Sequence, residues 1–126
     1  MSRLLVVDDE ANIRLLYAEE LKEEGYEVVT AANIAEALEK LQDGTFDLAV
    51  LDIKLRNESG IELLQKLVKE RHNMPVILCS AFSCYKDDFS AWLADGYVVK
   101  SGDLSELKHE IARVLAKKAQ KLKAGL

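Results

Sequence analysis

The feature that most limits the possible folds is a strict alternation of short apolar runs with helical stretches. Each run is almost continuously apolar, which is typical of parallel strands buried on both faces of a sheet. The runs cover residues 4–7, 26–30, 46–51, 76–79 and 97–99. Between the runs, apolar residues recur at helical spacing, and the first such stretch carries Ile13, Leu16, Tyr17 and Leu21 before Gly25.

This β-α alternation predicts an α/β protein. With right-handed crossovers, it becomes a doubly wound five-stranded parallel sheet, a flavodoxin-like (βα)5 fold with strand order 2-1-3-4-5. Asn33 and Asp103 are expected to cap the second and last helices, and residues 86–94 to form the fourth. The length suits one domain, which we place at residues 1–120. We expect residues 121–126 to form a basic C-terminal tail, with no output domain.

Charge and composition narrow the classes of function. Seventeen basic and twenty-two acidic side chains give a net charge of −5, which argues against nonspecific binding of nucleic acid. No apolar run approaches the roughly 18 residues of a membrane span, so no membrane association is expected. Cys79 and Cys84 form no disulfide framework and suit a reducing cytoplasm. His72 and His109 lie among charged residues and are expected to be exposed.

Polar residues follow four of the five apolar runs. Asp8 and Asp9 follow the first, Asp52 the third, Ser80 the fourth and Lys100 the fifth. In a parallel sheet these residues emerge at one edge, where open α/β sheets bind ligands at the point of strand-order reversal. Strands one and three would be neighbours about 4.8 Å apart. The three aspartates are therefore expected to converge.

Each of these residues alone has an ordinary structural explanation. Adjacent aspartates often cap a helix, a serine can satisfy a backbone group, and a lysine can extend from a sheet edge. Three converging carboxylates, however, repel one another, and a hard divalent cation such as Mg²⁺ relieves that repulsion. A cation, the Ser80 hydroxyl and the Lys100 ammonium beside a carboxylate nucleophile form a phosphoryl-transfer site.

Four ordered motifs carry a resemblance to a known family. They are VVDDE, LDIKLRNESG, ILCSA and YVVKS. Over nearly the whole chain they resemble the receiver domain of two-component response regulators. The resemblance implies a cytoplasmic signalling switch that accepts a phosphoryl group on Asp52 from a histidine kinase or phosphotransfer protein. The switch would regulate a downstream protein target by a conformational change. It would be no enzyme beyond Mg²⁺-dependent self-phosphorylation and self-dephosphorylation.

The resemblance also implies a set of metal ligands. Asp9, Asp52 and the backbone carbonyl of Lys54 would bind Mg²⁺ directly, and Asp8 would act mainly through water. Lys54 and Phe82, each two residues beyond a site residue, would flank the path of hydrolytic water. If both hinder that water, we expect a comparatively persistent phosphoryl group; in the alternative, both side chains point into solvent and have no effect on its lifetime.

Further roles follow from the same resemblance. Ser80 would bond a phosphoryl oxygen, Lys100 would pair with the phosphoryl group, and the small Ala81 would leave room for it. Tyr97 matches the aromatic switch residue that turns inward as Ser80 moves.

The sequence departs from the family pattern at four places. Ser80 stands where Thr is commoner, and Arg56 where Pro is frequent. Ser101 follows Lys100 where Pro is usual, which leaves the isomer of that peptide bond open. The stretch from Ser80 to Lys100 is slightly short, which predicts a trimmed fourth helix.

Three other functions fit the sequence less well. A flavodoxin-like cofactor protein needs a Ser, Thr or Gly cradle after strand one, where this chain has DDEAN. A phosphatase of the haloacid dehalogenase type needs a D-x-D pair there, whereas these aspartates are adjacent. A receiver fold used as a constitutive interaction module would not need the complete set of acids, hydroxyl and lysine.

Overall fold

A computed structural model describes residues 1–55, 57–70, 74–81 and 93–124, with side chains described through residue 120. The strands are β1 (Arg3–Val7), β2 (Glu27–Ala31), β3 (Leu48–Asp52), β4 (Lys54–Leu55), β5 (Glu58–Ser59), β6 (Val76–Ser80) and β7 (Gly96–Val99). The helices are α1 (Ala11–Glu23), α2 (Ile34–Asp43), α3 (Gly60–Lys69) and α4 (Ser105–Ala124). The predicted helix at 86–94 lies mostly outside the described residues, as do Arg56, His72, Phe82 and Cys84.

Five strands form a parallel sheet in the order β2-β1-β3-β6-β7. This is the predicted 2-1-3-4-5 order when the two-residue strands β4 and β5 are set aside. The α/β fold, the parallel sheet and its strand order are therefore confirmed. β3 lies at the centre, between β1 and β6, and all five of its residues are buried.

Two apolar clusters cover the two faces of the sheet. On β1, Leu5 and Val7 belong to one cluster, and Leu4 and Val6 to the other. This two-sided burial explains why the strands read as continuous apolar runs. Leu16 departs from the predicted apolar face of α1, because it is 38% exposed. Its neighbour Tyr17 faces the sheet, and adjacent helical residues point about 100° apart.

Local signals set the helix boundaries. Gly25 follows α1 with φ +94°, a conformation that glycine adopts at little cost. The side chain of Asn33 accepts a hydrogen bond from the backbone N–H of Glu36 at 2.8 Å and caps α2 as predicted. The Asp103 side chain accepts from both the backbone N–H and the hydroxyl of Ser105 at the start of α4. α4 continues through Ala124, past residue 120.

The segment after β3 contains two short strands. β4 and β5 pair as a small antiparallel hairpin, with Lys54 opposite Ser59 and Leu55 opposite Glu58. Asn57 lies between the strands with φ 60°, a left-handed conformation in which asparagine is enriched. Leu55 is only 5% exposed and belongs to a core cluster, so the hairpin is fixed to the body of the protein.

Three further observations concern His109, the Lys100–Ser101 peptide bond and the helices. His109 is exposed, as expected. The Lys100–Ser101 peptide bond is trans, and no cis bond occurs in the described part of the chain. None of the helices placed here has the length and apolar character needed to cross a bilayer.

Candidate functional site

Four polar residues meet at the carboxyl edge of the parallel sheet. Asp8 directly follows β1, Asp52 ends β3, Ser80 ends β6 and Lys100 directly follows β7. Asp8, Asp52 and Ser80 are 2%, 6% and 1% exposed, although all three are polar. Burial of two carboxylates so close together requires compensating partners.

The ammonium of Lys100 supplies that compensation. Its Nζ lies 2.7 Å from Asp8 Oδ2 and 2.9 Å from Asp52 Oδ2, so it bridges the two carboxylates. The Lys100 backbone is fixed as well, because its N–H donates to the carbonyl oxygen of Ser80 at 2.7 Å. Lys100 thus connects three strand ends at one point.

The other oxygen of each carboxylate accepts a hydrogen bond from a backbone N–H group. Asp8 Oδ1 accepts from the N–H of Glu10 at 2.9 Å, and Asp52 Oδ1 accepts from the N–H of Lys54 at 3.2 Å. Arg14 Nη1 donates to the Asp8 carbonyl oxygen at 2.7 Å. The spacing of the apolar runs predicted which residues meet here, but Arg14 was not foreseen, since nothing in its sequence context indicates that it reaches back.

Burial and charge shift the ionisation of this group. Burial raises the pKa of Asp52, and the hydrogen bond and charge of Lys100 only partly offset that effect. Burial alone would lower the pKa of Lys100, but hydrogen bonds and charges from Asp8 and Asp52 outweigh it and raise that pKa. Beside them, burial raises the pKa of Cys79 to about 12, so its thiol stays protonated. The lysine remains a fixed positive charge.

Gly60 lies against the backbone of Asp52 and Ile53. A Cβ at this position would clash with the carbonyl oxygen of Asp52, and it would lie 2.9 Å from the Asp52 carbonyl carbon. The Gly60 N–H also donates to the Ile53 carbonyl oxygen at 2.7 Å. Only glycine permits this approach without moving the backbone that carries Asp52.

The site also contains a compact set of oxygen donors. Carboxylate oxygens of Asp8, Asp9 and Glu10 lie within 4.8 Å of one another. Such hard oxygen donors fit Mg²⁺. Glu10 was not among the predicted ligands, and its adjacency to the two aspartates was the available signal. Asp52 stands apart from this three-residue set and is joined to Asp8 through Lys100.

Comparison with known proteins assigns this fold to a family. Residues 4–112 match the response regulator receiver domain family. The chain belongs to the response regulator receiver domain family. The receiver domain is a phosphorylation-dependent signalling switch of two-component systems.

Several relatives of this receiver domain are known. The response regulator ArlR of Staphylococcus saprophyticus is 32% identical over 123 residues, which cover 96% of this chain and 56% of ArlR. The chain therefore spans about half the length of the curated relatives it matches. A CheY-like receiver domain from Methanospirillum hungatei is 32% identical with a TM-score of 0.88, covering 96% of this chain and 98% of its own.

A relative with higher identity has been solved in two complexes. TrrA of Thermotoga maritima, in complex with Mg²⁺-BeF, is 49% identical with a TM-score of 0.85, covering 90% of this chain and 98% of TrrA. In another crystal structure, TrrA is bound to the histidine kinase ThkA, with 49% identity, a TM-score of 0.85 and coverage of 91% and 99%.

The receiver domain brings most of the predicted site residues together. Asp8, Asp52 and Lys100 are in direct contact, and Asp9 lies in the neighbouring acidic set. Ser80 is joined to Lys100 through its backbone.

Three of the other predicted residues, Tyr97, Lys54 and Ala81, are described by the structure. Tyr97 is half-buried on β7 and packs against the core cluster of Leu5 and Leu51. The Lys54 side chain is exposed, and so is Ala81. Phe82 lies outside the described residues.

Proposed function

We propose that this receiver domain accepts a phosphoryl group on Asp52, with Mg²⁺ as cofactor, and passes the signal to a protein target. The donor is a histidine kinase or a phosphotransfer protein. The observation that carries the proposal is the Lys100 ammonium held between Asp8 and Asp52. Such a charge, fixed before the reaction, can neutralise a phosphoryl oxygen as negative charge develops.

The chemistry is a transfer between two nucleophiles. An Asp52 carboxylate oxygen forms a bond to phosphorus while the bond from phosphorus to the donor nitrogen breaks, and the electron pair returns to the donor imidazole. Asp52 Oδ1 keeps the N–H of Lys54, and its Oδ2 contacts Lys100. Lys54 and Lys100 contribute to the transfer by positioning the Asp52 carboxylate, and burial of Asp52 excludes water.

The acids at the sheet edge fit a resident Mg²⁺. Asp9, Asp52 and the backbone carbonyl of Lys54 would bind it directly, with Asp8 acting through water. When bound, the ion supplies positive charge beside the phosphoryl oxygens. The Mg²⁺-BeF complex of TrrA, a relative that is 49% identical, supports Mg²⁺ as the cofactor.

The transmitted change would start at Ser80. Ser80 ends β6 beside the end of β3, where Asp52 lies, and its hydroxyl would bond a phosphoryl oxygen. Tyr97 lies on the next strand, opposite Leu78. A shift of Ser80 toward the phosphoryl group would let the half-buried Tyr97 ring turn inward, and the surface seen by the target would change.

The lifetime of the phosphoryl group would depend on Lys54 and Phe82. Lys54 is long, exposed and positively charged, so it can hinder water without acting as a base. We expect label loss from the phosphorylated protein to be faster in Lys54→Ala or Phe82→Ala, and fastest in the double variant. Identical decay in all four proteins would refute shielding.

The location and partners follow from the same function. A cytoplasmic site of action suits a substrate of a kinase and the free thiol of Cys79. The complex of TrrA with the histidine kinase ThkA supports a kinase as phosphoryl donor. The net charge of −5 supports a target that is a protein rather than nucleic acid.

The test is to incubate the protein with Mg²⁺ and acetyl phosphate and locate the label by mass spectrometry. We expect one phosphoryl group, on Asp52, and none in Asp52→Asn. Lys100→Ala should leave the acceptor in place but uncouple the switch. A label on another residue, or no label even with a competent kinase, would overturn the proposal. Turnover of a phosphatase substrate, or binding of flavin mononucleotide, would favour the two rival functions.

A further inference from the structure

The hairpin of β4 and β5 reaches across to a second helix. Glu58 Oε1 accepts a hydrogen bond at 3.3 Å from the backbone N–H of Ile34, the first residue of α2. The two residues are 24 positions apart, and the contact is partly buried. α2 already has a cap of its own, because the Asn33 side chain accepts from Glu36 N–H. The N-terminus of α2 therefore holds a second acceptor, which comes from the hairpin.

This contact is one of several that hold the hairpin. Glu58 pairs with Leu55 across the two strands, and Leu55 is buried in the core cluster against which Ile34 packs. A polar and an apolar contact therefore join the hairpin to α2 at the same place. A carboxylate at a helix N-terminus is also favoured by the helix dipole.

The opposite strand of the hairpin touches the phosphoacceptor. Lys54 begins β4, and its N–H donates to Asp52 Oδ1. The path from Ile34 to Asp52 thus runs through Glu58, the hairpin pairing and the Lys54 backbone. Gly60, the first residue of α3, fixes the far end of the hairpin by its hydrogen bond to the Ile53 carbonyl oxygen.

We propose that Glu58 is a positioning residue: its contact with the N-terminus of α2 holds the hairpin so that the Lys54 backbone stays aligned with Asp52. The inference rests on the proposed phosphoryl-acceptor function, since it assigns Glu58 to the support of that site. Without this contact the hairpin moves relative to β3, and the Lys54 peptide leaves its place beside the carboxylate.

Three variants separate this role from simpler effects. Glu58→Ala removes the acceptor. Glu58→Gln keeps an acceptor oxygen but removes the charge, so it controls for electrostatic attraction of a cation. Asn33→Ala removes the other cap of α2 without touching the hairpin, so it controls for general loosening of that helix.

The first readout is Mg²⁺ affinity, measured by following backbone amide signals as Mg²⁺ is added. We expect Glu58→Ala to bind roughly tenfold more weakly, at the lower end of the range for residues that orient metal ligands. Glu58→Gln and Asn33→Ala should stay close to wild type. The second readout is the amide signal of Lys54 in metal-free protein, which should shift in Glu58→Ala and much less in Glu58→Gln.

The outcomes are distinguishable. Wild-type affinity in a folded Glu58→Ala overturns the inference, as does an equal loss in Asn33→Ala. A loss in Glu58→Gln as large as in Glu58→Ala shows that charge, not the contact, is responsible, and also overturns it. If wild type itself neither binds Mg²⁺ nor accepts a phosphoryl group, the proposed function fails instead.

Discussion

Lys100 and Lys108 each contact two carboxylates, but in different surroundings. Lys100 bridges Asp8 and Asp52, whose side chains are 3% and 7% exposed. Lys108 contacts Glu20 of α1 and Glu24 directly after that helix, whose side chains are 36% and 47% exposed. Water screens the second group, whereas the first depends on its lysine for compensation of charge. Lys100 therefore neutralises buried charge, whereas Lys108 forms ion pairs at the surface.

This contrast predicts different costs of removing each lysine. In the absence of Mg²⁺, Lys100→Met should lower the free energy of unfolding by about 3 kcal/mol, because two buried carboxylates lose their cation. Lys108→Met should change it little. Added Mg²⁺ should recover part of the loss in Lys100→Met. Chemical denaturation of the three proteins measures this, and equal stability of Lys100→Met and wild type would contradict it.

A second prediction at this scale concerns Asp103. Hydrogen bonds from the hydroxyl and then the backbone N–H of Ser105 lower the pKa of Asp103. A lowered pKa in the folded state adds stability above the unfolded pKa, and that stability is lost as pH falls through the folded value. In Ser105→Ala, the Asp103 pKa should rise toward 3.8, as followed by NMR titration. An unchanged pKa would mean that the hydroxyl contributes nothing.

At the scale of elements, the connection from β3 to α3 leaves no room for a side chain at Gly60. Gly60→Ala should destabilise the protein by about 1–3 kcal/mol, because its Cβ meets only backbone atoms of Asp52 and Ile53. Gly102→Ala is the matched control, since a Cβ there has nothing within 4 Å, and its effect should stay within about 0.5 kcal/mol. Thermal unfolding compares them, and similar melting temperatures for the two variants would refute the constraint.

The sequence predicted some of these elements and missed others for physical reasons. Five apolar runs identified five strands, because burial on both faces leaves a continuous signal. The hairpin of β4 and β5 was missed because strands of two residues have no periodicity to detect. The meeting of Asp8, Asp52 and Lys100 followed from strand ends. The contacts of Arg14 and Glu58 did not, because the reach of a long side chain depends on tertiary structure.

At the scale of the whole molecule, Mg²⁺ should stabilise the fold by binding it in preference to the unfolded chain. Tenfold excess over the dissociation constant corresponds to about 1.4 kcal/mol. Asp9→Asn should abolish most of this gain, measured as the shift of the unfolding midpoint with Mg²⁺.

Two further variants decide which acids take part. Asp52→Asn should weaken the Mg²⁺ effect if the ligands are those predicted, whereas Glu10→Gln should weaken it if the acidic set of Asp8, Asp9 and Glu10 binds the ion. A Mg²⁺ titration that leaves the stability of wild type unchanged would exclude both ligand sets.

The central position of β3 has a consequence for how the molecule opens. Its neighbours on both sides and its complete burial should make its amides the last to exchange with deuterium, through global unfolding alone. β7, at the edge with mostly half-buried residues, should exchange through smaller openings. The proposed phosphoacceptor, Asp52, would therefore belong to the segment that opens least, and Tyr97 to one that opens easily. The proposed chemistry would then take place on a rigid central strand, and the proposed response would be carried by an edge strand that opens more easily.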